Sequence, residues 1–403
     1  MQNQKRSQLE FVVLMAALMS IVALSIDAVL PALPEIGDYL SSVNETENQK
    51  LITAIFLGLG FGQLIFGPLS DSFGRKPMVY FGFAVFVIAS IICITTRNFE
   101  MMLFGRVLQG VGLSSPRTMS TAIVRDSYSG DHMAKILSIV TMTFILVPVI
   151  APMLGQFLLN HFGWHSIFTV NLAFGSLIIL WFWQRQPETL HEKYKKTFRF
   201  TNFKAGAITF FRIKSAVIYT LLSGLVTGSF MVYLSTSQQI FQVQYELGDL
   251  FPYIFASLAI TIGLSTFLNS AIVIRFGMWN LVHIALIVFV VNSLIFVITF
   301  WSGINPPIEV LMVFLMLQFA SVAFLFGNYR ALAMEPMGHI AGVGAALNGF
   351  ISTVMAVPIA NFIGSFIKTS VLPLFIGFFV TGIIGLVLFY SVKKPIRGAY
   401  HKN

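Results

Sequence analysis

The chain has 403 residues, 56% of them apolar and only 10% charged, with a mean hydropathy of +0.83; a water-soluble globular protein carries about 25% charged residues. So large an apolar excess excludes a soluble domain with one water-facing core and makes lipid the solvent for most of the chain. The net charge of +9 raises nucleic acid as a partner, but the placement of the bases along the chain argues for a membrane topology signal instead.

In hydrocarbon every backbone N–H and C=O must be paired internally, which leaves helices or a closed barrel. Barrel strands alternate apolar and polar residues over roughly ten-residue segments. Here the runs are about twenty residues long and apolar on nearly every side, the length a helix needs to cross a bilayer. Met1–Arg6 is polar and basic, as in a signal peptide, but the run that follows is too long and ends at Pro31-Ala32-Leu33-Pro34 rather than at a small-residue cleavage site. It reads as a retained first span. The pattern predicts an all-α integral membrane protein with twelve transmembrane helices, over 11–33, 50–70, 78–96, 101–124, 134–158, 165–184, 214–236, 250–273, 280–301, 308–331, 341–367 and 371–391. The one long loop then divides two pseudo-symmetric six-helix halves, 1–184 and 214–403, joined by a cytoplasmic segment, 185–213.

Lys and Arg concentrate in cytoplasmic loops. With the N-terminus inside, the outer loops hold only Lys50, Arg97 and Lys368, and Arg106 and Arg117 fall within a span; all other bases lie on the cytoplasmic side. That asymmetry predicts a multi-pass membrane protein with both termini in the cytoplasm. Within the central loop, 194–204 is basic with interspersed aromatics and is expected along the membrane surface, with no nucleic acid as partner. The halves echo each other. Phe73-Gly74 follows the second span and Phe276-Gly277 the eighth, while Ala151-x-x-x-Gly155-x-Phe157 matches Ala360-x-x-x-Gly364-x-Phe366. Repeated halves suit a carrier with its site between repeats near the midplane.

An ionisable side chain at mid-bilayer costs roughly 2.5–3.5 kcal/mol, and so marks a cavity, a partner or a function. Asp27 lies about 24 Å into the first span, and Arg106 about 8 Å from the outer end of the fourth, at 1.5 Å per residue. The depths agree, and the two are expected to face each other as a proton-coupling pair; the alternatives are a static pair or a wetted surface carboxylate. Arg117 follows Arg106 by about three turns, on the face that carries Gln109 and Gly110. It can attract an anionic group, stabilise an acidic partner, or pair with backbone near Pro116. Gln238, Gln239, Gln318, Asn328, Asn348 and Asn361 can line a substrate cavity or join helices by hydrogen bonds. The single cysteine, Cys93, leaves no disulfide framework or thiolate cluster. The histidines are scattered, Trp164 between two of them reads as an interfacial anchor, and no nucleophile motif stands out. No metal, no cofactor and no catalysis are expected.

Gly67-Pro68-Leu69-Ser70-Asp71-Ser72-Phe73-Gly74-Arg75-Lys76-Pro77 resembles motif A of the major facilitator superfamily, and Arg106-x-x-Gln109-Gly110-x-Gly112 resembles its motif B. Asp27 through Pro34, with Ala333-Met334-Glu335-Pro336-x-Gly338, is similar to the bicyclomycin/chloramphenicol-resistance branch of drug:proton antiporters. The resemblance implies a latch in which Asp71 meets the start of the eleventh span near Gly338, with Arg75 and Arg125 close by. Gly67 and Gly74 would supply the tight turn. Two departures stand out. The antiporter motif of the fifth span keeps only Pro152 and Gly155, and the second-half counterpart of motif A, near Arg275, has lost its acid. The reading is therefore proton-coupled efflux of small apolar or amphipathic compounds by a monomer, with protons and the bilayer as its other partners. The alternative on the same fold is a proton symporter importing a small metabolite. A third reading is a membrane enzyme or non-transporting receptor.

Overall fold

The computed structural model describes residues 7–42, 45–128, 130–191, 193, 195, 200–248 and 250–392. Lys5, Arg6, Lys196, Arg199 and the bases from Lys393 onward, used above for orientation, lie outside them; of Lys135 and Gly338 only the backbone is described.

The described residues are helical nearly throughout. In chain order come α1 (Gln8–Asp27), a 3-10 turn (Leu30–Ala32), α2 (Leu33–Tyr39), α3 (Glu45–Asn48), α4 (Lys50–Phe73), α5 (Arg75–Thr95), α6 (Phe99–Ser127), α7 (Gly130–Phe162) and α8 (His165–Arg185). Beyond the central segment follow α9 (Phe200–Arg212), α10 (Lys214–Gln238), a π-helical turn (Gln239–Gln244), α11 (Phe251–Phe276), α12 (Met278–Thr299), α13 (Ile308–Met334), α14 (Ala341–Gly364) and α15 (Leu372–Tyr390). Among the described residues ten helices are long and apolar enough to cross a bilayer. The other two predicted spans coincide with α6 and α7. α6 carries Glu100, Arg106, Arg117, Arg125 and Asp126, which lower its hydropathy, and the described apolar part of α7 is the short stretch Val147–Phe162.

The first span does not run unbroken. Proline lacks an N–H and its ring crowds the carbonyl four residues before it; four residues before Pro31 stands Asp27, where α1 ends. The chain then makes the 3-10 turn and restarts as α2 with Pro34 in its first turn. A proline thus leaves the buried carboxylate at a helix terminus.

By its contacts the chain forms two compact units, Met1–Phe203 with Leu234–Ile260, and Lys204–Tyr233 with Thr261–Asn403. In the first, α4 and α5 pack on α6, and α1 lies along α7. Glycines set these approaches. A Cβ on Gly58 or Gly110 would collide with backbone carbonyls of the facing helix, those of Val107 and Ile55. Leu234–Ile260, expected with the second half, groups with the first unit, and two amide pairs join it there: Gln49 donates to Gln239 at 2.5 Å, and Gln242 to Gln156 at 3.4 Å. In the second unit α12 packs on α13 and α15. There Phe296 stacks on Phe375 at 3.6 Å.

The internal echo has a structural counterpart. Gly74 links α4 to α5 with φ of +105°, and Gly277 links α11 to α12 with φ of +79°. Each is a one-residue link after a phenylalanine. Ala151 and Ala360 are both buried, Gly155 and Gly364 likewise, and Phe157 and Phe366 are both exposed.

Candidate functional site

Asp27 is 4% exposed, at the C-terminus of α1. The following turn is clamped by α7, because a Cβ on Gly155 would collide with the carbonyl oxygen of Ala28. Gly155 is the glycine that survives from the diluted fifth-span motif. Its role here is steric, letting α7 seat directly on the turn that carries the acid.

Arg106, 1% exposed, is the centre of the polar core beside it. Its Nε donates to the Leu51 carbonyl at 3.0 Å, and one terminal nitrogen donates to the Ser25 carbonyl at 3.0 Å and to Gln109 Oε1 at 2.8 Å. The guanidinium lies 5.7 Å from the Phe168 ring centroid, within the range of cation–π attraction. Gln109 in turn donates to the Ser90 hydroxyl at 3.1 Å. One cation therefore ties together α1, α4, α6 and α8, and Gln109 extends the network to α5. The expected direct ion pair is not among the salt bridges of the described residues; Arg106 instead holds a backbone carbonyl two residues before Asp27. The other terminal nitrogen of Arg106 is buried without a partner. Arg117, on the same helix, is half-buried.

A second cluster surrounds the α4–α5 link. α4 continues through Pro68 to Phe73, so the turn is a single residue, Gly74. Gly67 lies inside the helix, where its carbonyl accepts from the Ser70 hydroxyl at 2.7 Å. Arg75 is buried and donates to Asp71 at 2.7 Å, to Asp126 at 2.9 Å and to Ser70 at 2.6 Å. Arg125 is exposed; its neighbour Asp126, not singled out from the sequence, is the one that meets Arg75. Also missed was Glu188. Its carboxylate accepts from the backbone N–H groups of Arg75 at 3.0 Å and Lys76 at 2.9 Å, capping α5, and from Thr189 and Leu190. Burial raises the Glu188 pKa, but hydrogen bonds from the Leu190, Lys76, Arg75 and Thr189 amides outweigh it and hold the carboxyl below its ordinary range. The signal available in the sequence was an acid soon after the sixth span together with a helix starting one residue after a glycine.

The polar candidates in the later helices form pairs. Gln318 accepts from Asn292 at 2.6 Å and donates to Ser293 at 3.0 Å, joining α13 to α12. Asn348 donates to Thr220 at 2.8 Å, joining α14 to α10, and its carbonyl oxygen is buried without a partner. Asn328 donates to Asn269 at 2.8 Å. Gln238 is buried at the end of α10, and Asn361 is exposed near the end of α14. Trp164 is buried rather than lipid-facing, stacked on His165 at 3.6 Å. Among the described residues no group of three His, Cys, Asp or Glu side chains is placed to hold a metal.

A polytopic helical bundle with a buried acid, a buried cation network and a basic interhelical turn is the construction of a membrane carrier. The chain belongs to the Major Facilitator Superfamily, whose sequence profile matches residues 15–360. It is 30% identical over 403 residues to the uncharacterized MFS-type transporter YdgK of Bacillus subtilis, covering 98% of both chains. It is 24% identical over 406 residues to the bicyclomycin resistance protein homolog of Haemophilus influenzae, covering 97% of this chain and 98% of the relative. The fold matches a crystal structure of a D-xylose-proton symporter with a TM-score of 0.76 at 14% identity, over 94% of this chain and 97% of that one. The protein is a multi-pass membrane transporter and not an enzyme.

Proposed function

We propose that this transporter exports small apolar or amphipathic compounds across the cytoplasmic membrane in exchange for protons, by alternating access. Asp27 is the proton carrier: it takes a proton from the outside and releases it to the cytoplasm as the cargo leaves. The observation that carries this reading is a carboxylate 4% exposed at a helix end that enters none of the salt bridges among the described residues. A charge so placed is stabilised by neutralisation, so gaining and losing a proton changes what the surrounding helices tolerate. Arg106 positions the turn through the Ser25 carbonyl rather than by pairing with the acid. The Asp71–Arg75–Asp126 cluster acts as the conformational latch. Both termini face the cytoplasm and the working unit is a monomer.

The cargo class rests on similarity to the bicyclomycin resistance protein homolog and on the abundance of phenylalanine and methionine, 41 and 17 residues, which suit adaptable apolar sites. The test is a panel of lipophilic dyes and antibiotics in cells. Loss of the gene should raise accumulation of at least one compound, and Asp27→Asn should fail to restore efflux. A gene loss that lowers uptake of a metabolite instead would reverse the assigned direction.

A further inference from the structure

α9 lies outside the transport machinery described above. One face is packed: Phe210 is buried, and a Cβ on Gly206 would sit 3.1 Å from the Val343 side chain of α14. The opposite face is exposed. Lys204, Ile208 and Arg212 stand four residues apart, and Phe211 three after Ile208, which places all four on one helical stripe. Ile208 is 45% exposed and Phe211 58%, and the bases stand at the two ends of the stripe. No acid occurs from Phe200 to Lys214, and Lys193 and Lys195 precede the helix as exposed bases.

The chain itself fixes where this face sits. α9 ends at Arg212 and α10 begins at Lys214, the turn between them closed by the Ile213 amide on the Phe210 carbonyl and the Val217 amide on the Ile213 carbonyl. α10 opens one of the helices apolar enough to span a bilayer. A helix joined to a spanning helix through one residue has no freedom to leave the membrane boundary. At that depth two large apolar side chains flanked by cations fit acyl chains below and anionic headgroups at the same level, the long Lys and Arg stems reaching up to the phosphates.

We propose that α9 is an interfacial helix whose exposed stripe binds anionic phospholipid, with Ile208 and Phe211 entering the acyl boundary and Lys204 and Arg212 holding headgroup phosphates. The stripe begins at Lys204, the last residue of the segment 194–204 that the sequence marked as surface-lying, and runs eight residues past it; it needs nothing of the proton mechanism.

The test uses the full-length protein, one copy per nanodisc, in a Cys93→Ala background. Ile208→Cys or Phe211→Cys carries an environment-sensitive fluorophore, and the discs hold phosphatidylcholine with increasing phosphatidylglycerol. Quenching by brominated acyl chains, rising with phosphatidylglycerol, is the expected result. Lys204→Gln with Arg212→Gln should raise the phosphatidylglycerol fraction needed for half-maximal quenching, the affinity for anionic lipid falling by about fivefold per base. Quenching by aqueous iodide at every composition would overturn the proposal, because the face would then be in water. Protection from both quenchers, or protection that needs two copies per disc, would overturn it in favour of a protein partner.

Discussion

Asp27 and Gly74 show how much a single residue decides here. Pro31 removes the hydrogen bond that would carry α1 past Asp27, so the acid sits at a helix end instead of within a continuous turn. Gly74, at φ of +105° and ψ of 158°, occupies backbone space that is essentially glycine-only, and an added Cβ would stand 2.6 Å from the Glu188 carboxylate. Gly74→Ala is expected to destabilise the turn by about 1–3 kcal/mol, read as a lowered melting temperature of the purified protein, whereas a wild-type melting curve would contradict the turn geometry. Glu188 gives a pH prediction. Its folded pKa is depressed, so its contribution is present above the unfolded value and is lost as pH falls through the folded one. Amide exchange at Arg75 and Lys76, corrected for its intrinsic pH dependence, should accelerate on acidification through the carboxylate range, and Glu188→Gln should show that faster exchange already at neutral pH.

Elements were legible in the sequence wherever a long apolar run announced them, and least where polar groups interrupt one. α6 is a 29-residue helix with Arg106 and Arg117 inside it; the run-length reading placed a span at 101–124 although the charges lower its hydropathy. The one-residue Phe-Gly links of the two halves were visible as short repeats and are both turns at positive φ. What escaped were partnerships between residues far apart in the chain. Arg75 meets Asp126 and Glu188, and Gln49 meets Gln239, across separations that leave no local pattern. The candidates Gln318 and Asn348 could be read as cavity or as helix–helix groups, and only geometry assigns each a partner on a neighbouring helix. The Gln49–Gln239 pair joins α4 to the π-helical turn after α10. Replacing either by Leu leaves a buried amide without this partner, at a cost of about 1–3 kcal/mol. The double variant should cost less than the sum of the two singles in thermal melts, and strict additivity would mean that the amides do not interact.

At the scale of the whole molecule, the burial pattern of Ala151-Gly155-Phe157 is repeated in Ala360-Gly364-Phe366, while the two compact units cut across the sequence halves, Leu234–Ile260 grouping with the first. Composition alone indicated the solvent, motifs A and B pointed to the superfamily, and the profile match over residues 15–360 shows it. The polar interior of the first unit then divides the work: Arg106 binds carbonyls and organises helices, and the Asp27 carboxyl enters no salt bridge among the described residues. That division predicts unequal phenotypes. Arg106→Lys loses the forked donation to Leu51, Ser25 and Gln109 and should lower thermal stability together with transport. Asp27→Asn, isosteric and neutral, should leave folding intact and remove coupling alone. The direct measurement is proton flux in proteoliposomes holding wild type or Asp27→Asn, started by a gradient of an exported compound. Proton movement opposite to the cargo is expected in wild type and none in Asp27→Asn despite retained cargo binding; full coupled flux in the variant would contradict a carrier role for Asp27.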